Sequence, residues 1–200
     1  MRNLIPFLLT LLLLSCNESP KKNTAVPVVE KEVVIPESLL GKDLEGNEIL
    51  VGEISLAQMA HFCKEWYSPD YNRYKVNVGL LEQIKPLLKG KEVTLLMGTW
   101  CEDSQREVPG MMKILAKAGY AVAQMEIIAV DEDKRTPSGV EQAYEASYVP
   151  ALIVYENGEE INRIVEFPLG TLEKDLLAIL SGEDYKHAYA RGGDPNSARI

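Results

Sequence analysis

The sequence predicts an α/β fold, a central mixed β-sheet flanked by helices with an N-terminal helical extension. Three observations carry this. An apolar run over residues 93–97 stops at Gly98-Thr99 and gives way to an amphipathic stretch reaching about residue 118, the pattern of strand, sharp turn and helix. A second unbroken apolar run, residues 127–130, suits a parallel strand covered on both faces, so strand, helix and strand form a βαβ unit. A third, residues 151–155, runs into Asn157-Gly158, a hairpin dipeptide that brings residues 160–166 back antiparallel and makes the sheet mixed.

Taken in order, the chain starts with Arg2 and an almost wholly apolar stretch, residues 5–14. That is short for a membrane span and reads as the apolar core of an export signal. Leu13-Leu14-Ser15-Cys16 resembles the lipobox of bacterial lipoproteins. The resemblance implies removal of residues 1–15, lipidation of Cys16 and anchorage in the bacterial cell envelope, on its periplasmic or outer-membrane face. Asn17, in place of Asp, permits outer-membrane delivery by analogy with Gram-negative sorting. Residues 16–36 are polar, charged and proline-punctuated, and read as a flexible tether. Residues 37–182 then hold the domain with its N-terminal extension, and residues 183–200 a mobile polar tail.

Within the domain, Gly41, Gly46-Asn47 and the apolar run 49–51 predict a turn with a small strand or hairpin. Ser55 caps a helix expected over residues 55–67, with Leu56, Met59, Ala60 and Cys63 on its inner face. Residues 66–74, WYSPDYNRY, read as an aromatic loop, either a satellite cluster under the first helix or a client-binding surface. Leu80, Leu81, Ile84, Leu87 and Leu88 have helical spacing and lead into the strand at 92–97. Gly119 stops the following helix, and residues 120–130 form the next strand. The charged loop 131–139 is read as solvated, residues 138–147 as a short helix, and residues 171–180 as a last helix on the sheet.

Composition narrows the function. The chain has 200 residues, 46% hydrophobic, and a net charge of −9. Nucleic acid is an unsuitable partner, and anionic lipid would repel the surface, so membrane attachment falls to the acyl chains. With Cys16 lipidated, Cys63 and Cys101 are the remaining thiols, which excludes a disulfide framework. His61 and Cys63 have no second ligand pair, so no metal is expected, and no cofactor motif is present.

The candidate site is Cys101. Thr99 and Glu102 have the spacing of a capping box, which would put Cys101 in the first helical turn. Free backbone N–H groups there favour an anion such as a thiolate, while Glu102 and Asp103 oppose one. Trp100 precedes the sulfur, and Ser104, one turn on, is placed to donate a hydrogen bond to it.

Trp100-Cys101-Glu102-Asp103-Ser104 resembles the W-C-x-x-C active site of the thioredoxin superfamily, with serine in the second cysteine's place. Pro109 inside the helix, Val149-Pro150 before a strand and the Asn157-Gly158 turn match that family in order, and the likeness spans residues 91–181. It implies a thioredoxin-like fold with a cis Val149-Pro150 bond, beside which a client segment pairs with the Val149 backbone. It also implies thiol-disulfide exchange through Cys101, with client protein disulfides or low-molecular-weight thiols as partners. An external thiol, or Cys63 as a distal resolving thiol, would release the mixed disulfide. Ser104 cannot close a disulfide, and Leu95 stands where the family keeps a buried acid. The rival reading keeps the fold as a redox-inactive binding or adaptor module. No phosphate loop is present, Gly98 breaks the peroxidatic pattern, and His61 and His187 give a Cys-His hydrolase little to build on.

Overall fold

The structure is a computed structural model that describes residues 32–191. The export segment, Cys16 and all but the end of the tether lie outside the described residues, as do residues 192–200.

The first elements are a small antiparallel hairpin, β1 (Leu40–Lys42) and β2 (Glu48–Leu50), followed by β3 (Gly52–Ile54). Gly52, at φ +98°, turns the chain between β2 and β3, a backbone geometry that disfavours a Cβ. α1 (Leu56–Phe62) opens on a full capping box, with Ser55 Oγ accepting from Gln58 N and Gln58 Oε1 accepting from Ser55 N. The helix expected to reach residue 67 ends at Cys63, and a second helix, α2 (Tyr67–Arg73), occupies the stretch read as an aromatic loop. Pro69 sits in the first turn of α2, where an amide has no intrahelical partner to lose. The other end of α2 is closed from outside: the Lys113 ammonium donates to the carbonyls of Tyr71, Asn72 and Tyr74 at 2.7, 3.1 and 2.9 Å. The aromatics form the satellite cluster, with Tyr67 buried edge-on against Trp66 and tilted against Tyr71.

α3 (Val78–Leu87) is capped by Asn77 and leads into β4 (Lys91–Met97). α4 (Glu102–Lys117) follows and ends at Gly119, at φ +87°. Pro109 removes one amide from the middle of α4, and a Cβ at Gly110 would lie 2.7 Å from Tyr74 and 2.8 Å from Leu172, so the helix is packed closely on both neighbours. The next strand, β5 (Glu126–Ala129), is shorter than predicted because residues 122–124 take a 3-10 turn first. β6 (Ala151–Glu156) and β7 (Glu159–Val165) form the closing hairpin on Asn157 and Gly158, both at positive φ. α5 (Leu172–Leu180), capped by Thr171, completes the domain.

The sheet is mixed and five-stranded, in the order β3-β5-β4-β6-β7. Only β4 and β5 are parallel; β3 on β5, β6 on β4 and β7 on β6 are antiparallel. Alternation along the strands separates two apolar clusters. Val93, Leu95, Met97, Ile127, Leu152 and Val154 share one with residues of all five helices. Leu96, Ile128 and Ile153 share the other with Cys101, Val130 and Val149, and among the described residues no α-helix beyond the Cys101 cap contributes to it. Residues 131–149 cover that face instead. The helix expected at 138–147 is a 3-10 turn, Val140–Tyr144, held between left-handed residues Gly139 and Glu145. Glu141 clamps this segment: its Oε2 accepts from Thr136 N at 3.1 Å and from Thr136 Oγ1 at 2.5 Å. The C-terminal tail also departs from expectation. Tyr185 donates to Asp175 Oδ2 at 2.8 Å, its carbonyl accepts from Asn162 Nδ2 at 2.8 Å, and Ala188 is buried, so residues through 191 dock on the domain.

Burial pushes the Glu141 carboxyl up, but the Thr136 hydrogen bonds and Arg135 outweigh burial and hold it below its ordinary 4.5. A depressed carboxylate stabilises the folded state above the unfolded value and loses that contribution as pH falls through the folded one. Glu141→Gln is therefore expected to flatten the acid limb of the stability curve below about pH 4.5, read by denaturant unfolding at several pH values. An acid limb identical to wild type would contradict the clamp.

Candidate functional site

Strand register decides what meets at the site. Leu96 lies opposite Ala151 and Met97 opposite Ala129, so β4 ends where β6 begins and where β5 ends. The β4–α4 turn, the 149–150 loop and the start of the 131–149 segment therefore share one end of the sheet. Val149-Pro150 is cis.

Cys101 caps α4 with φ −79° and ψ 122°, one position before the first turn. It is 8% exposed, and its Sγ–H donates to the Val149 carbonyl at 3.3 Å. The predicted capping box does not form. Thr99 Oγ1 accepts from Leu50 N at 3.1 Å, tying the turn to the N-terminal hairpin instead. Ser104 is fully buried, and its Oγ accepts from Gly98 N at 3.2 Å. Its hydroxyl thus braces the turn from below, and the hydrogen bond to sulfur expected from helical spacing is not the contact it makes. Gln105 Nε2 donates to the Thr99 carbonyl at 3.0 Å and fixes the same turn from the helix side.

Trp100 folds back over Gly98 and donates from Nε1 to the Val130 carbonyl at 2.9 Å. A Cβ on Gly98 would lie 2.6 Å from the indole, so the glycine is what admits this pose. Lys134, read from sequence as solvated, hangs its ammonium 5.3 Å from the Trp100 ring centroid and donates to the Glu132 carbonyl at 2.6 Å. Asp103 pairs with Arg106 at 2.5 Å, which spreads part of the acidic charge at the helix start.

These groups line a cleft of about 460 Å³ with Trp100 and Lys134, Cys101 and Val149, and Tyr148 and Glu166 along its walls. Lys134, Tyr148 and Glu166 escaped sequence reasoning. Tyr148 alone carried a signal, as the residue preceding Val149-Pro150. Cys63 lies in the helix-side cluster and Cys101 in the other, both as free thiols, so the structure does not bring them together. Burial pushes the Cys63 thiol up to about 12, which leaves it protonated and poorly nucleophilic at neutral pH. A second cleft of about 460 Å³, between α1 and α2, is apolar and holds no cysteine, histidine or carboxylate. Among the described residues no group of His, Cys, Asp and Glu is placed to hold a metal ion.

No protein-family model and no curated protein matches the chain. Among solved structures it is similar to a protein of unknown function from Pseudomonas aeruginosa, with a TM-score of 0.50 and 15% identity over 66% of this chain and 93% of that one. It is also similar to an HIV epitope-scaffold, with a TM-score of 0.43 and 17% identity over 66% of this chain and 84% of that one. The Pseudomonas likeness is one of fold, a mixed α/β architecture with a helix-flanked sheet.

Gly98→Ala is expected to displace the Trp100 indole and break its bond to Val130, costing about 1–3 kcal/mol by overpacking. Tryptophan fluorescence should shift toward the solvent-exposed range, with Trp66 as the unchanged background. An unaltered spectrum and stability would show that the indole does not depend on the glycine.

Proposed function

We infer that the chain is a thioredoxin-like thiol-disulfide exchange protein, tethered to the bacterial envelope by lipid on Cys16 and acting through Cys101 alone. One observation carries the reading: a cysteine at a helix N-cap sits 3.3 Å from the carbonyl before a cis proline, in an open cleft. Helix start and proline loop belong to different parts of the sequence, 48 residues apart, and the family likeness of WCxxS, Pro109, Val149-Pro150 and Asn157-Gly158 predicts their meeting. Among the described residues no helix is long and apolar enough to cross a membrane.

In the proposed reaction the Cys101 thiol gives up its hydrogen bond to Val149 and its proton. The thiolate attacks one sulfur of a client disulfide; the client S–S bond breaks, and the departing client thiolate takes up a proton. The mixed disulfide on Cys101 is then attacked at the client sulfur by an external low-molecular-weight thiolate. Cys101 leaves reduced, and the client carries the new mixed disulfide. Electrons balance without a further oxidant. Val149 and Pro150 form the edge along which an extended client segment lies, and Trp100 shields one side of the sulfur.

A second reading, the redox-inactive binding module, is favoured by one feature. The sulfur is 8% exposed and occupies the Val149 carbonyl that a client strand would use. The two readings separate on one experiment. Cys101→Ser is expected to abolish exchange with a peptide disulfide, whereas Cys63→Ser should retain it within about twofold, as its thiol is buried on the other face of the sheet. Equal rates for wild type and Cys101→Ser would leave the binding module standing.

A further inference from the structure

Two walls of the Cys101 cleft are held from outside the sheet by one residue near the end of the described chain. Tyr148 and Glu166 line the cleft together with Trp100 and Cys101. The Tyr148 ring, 41% exposed, stacks on the ring of Tyr189 with centroids 3.8 Å apart and planes 15° from parallel. The Tyr189 hydroxyl donates to the Glu166 carboxylate. Glu166 itself stands at φ +58°, and its amide donates to the Pro150 carbonyl at 2.7 Å, so it closes onto the residue that follows Val149. One tyrosine thus reaches both the residue before Val149 and the residue hydrogen-bonded to Pro150.

Residue 189 is itself anchored. Tyr185 is tied to Asp175 and Asn162, Ala188 is buried, and the turn closes with Ala190 N donating to the His187 carbonyl at 3.0 Å. Behind the stacked rings lies a cavity of about 280 Å³ bordered by Arg163 and His187. His187 Nδ1 is buried there with no hydrogen-bond partner among the described residues. Both rings border that cavity, and the stack between them and the bond to Glu166 are among the contacts that hold the pair.

The geometry points to Tyr189 as a positioning residue for the Cys101 cleft: through its stack on Tyr148 and its bond to Glu166 it fixes the wall against which a client segment lies and limits access to the sulfur. As a role in exchange this rests on the reading of Cys101 given above; as a role in shaping the cleft it does not. Tyr189 acts through the two residues it holds.

The test uses the full-length chain, with iodoacetamide alkylation of each cysteine followed by mass mapping and with exchange against a peptide disulfide measured in parallel. Cys63 is the internal control, since it is buried in the helix-side core, away from the cleft. In Tyr189→Ala, Cys101 is expected to alkylate about fivefold faster with Cys63 unchanged, and peptide exchange to slow about tenfold as the client loses its wall. Tyr189→Phe keeps the stacked ring but loses the bond to Glu166, and should alkylate at a rate between wild type and Tyr189→Ala, about twofold above wild type. Three results overturn the assignment: no change at Cys101 in Tyr189→Ala, Cys63 and Cys101 accelerating together, or Tyr189→Phe as reactive as Tyr189→Ala. If wild-type exchange proves no faster than that of Cys101→Ser, the exchange reading fails while alkylation still decides the role of Tyr189.

Discussion

The register of β4 against its two neighbours is the constraint on which the rest depends. With Leu96 opposite Ala151 and Met97 opposite Ala129, three chain segments remote in sequence leave the sheet at one edge. The hairpin then reaches the same edge, through Leu50 N to Thr99 and through Leu44 N to Glu132 Oε2 at 2.6 Å. A slip of one residue in either pairing would turn Leu95 and Leu96 to the wrong faces, so the core enforces the register. Everything at the cleft follows from that, including the approach of Cys101 to Val149.

The two faces of the sheet are built differently, and the difference isolates the site. Helices supply one cluster, with large side chains such as Met111, Met112 and Leu115 interleaved against the strands. The other face carries a thin cover of residues 131–149, held by polar clasps and by Trp100. Cys63 belongs to the thick side and is silenced by burial, whereas Cys101 belongs to the thin side and borders open space. Among the described residues the two free thiols are both buried, and of the two it is Cys101 that lines a cleft.

Much of this was legible in local pattern. The strand-turn-helix at 93–118 and the Asn157-Gly158 hairpin follow from periodicity and turn chemistry, which are properties of neighbouring residues. What escaped depends on distant partners. The WYSPDYNRY stretch is helical, and its last carbonyls accept from the Lys113 ammonium, some forty residues on. Thr99 serves Leu50 in place of a capping box, and Ser104 serves Gly98 in place of the sulfur. The helix expected at 138–147 yielded to left-handed backbone at Gly139 and Glu145, with Glu141 bonding back to Thr136. The tail looked polar, yet Tyr185 and Tyr189 find acceptors on α5 and at Glu166 that no local window could reveal. Trp100, Cys101 and Val149 line the cleft and each belongs to a short local motif, whereas Lys134 and Glu166 carry no such motif and only the fold brings them there.

The central claim is that the Cys101 sulfur accepts a disulfide partner in the folded protein. The direct measurement is mass mapping of the native reduced chain after brief exposure to a small symmetrical disulfide. One half of that disulfide is expected at Cys101, with Cys63 unmodified. An unmodified Cys101 in the native chain, taking up the adduct only after denaturation, would contradict it.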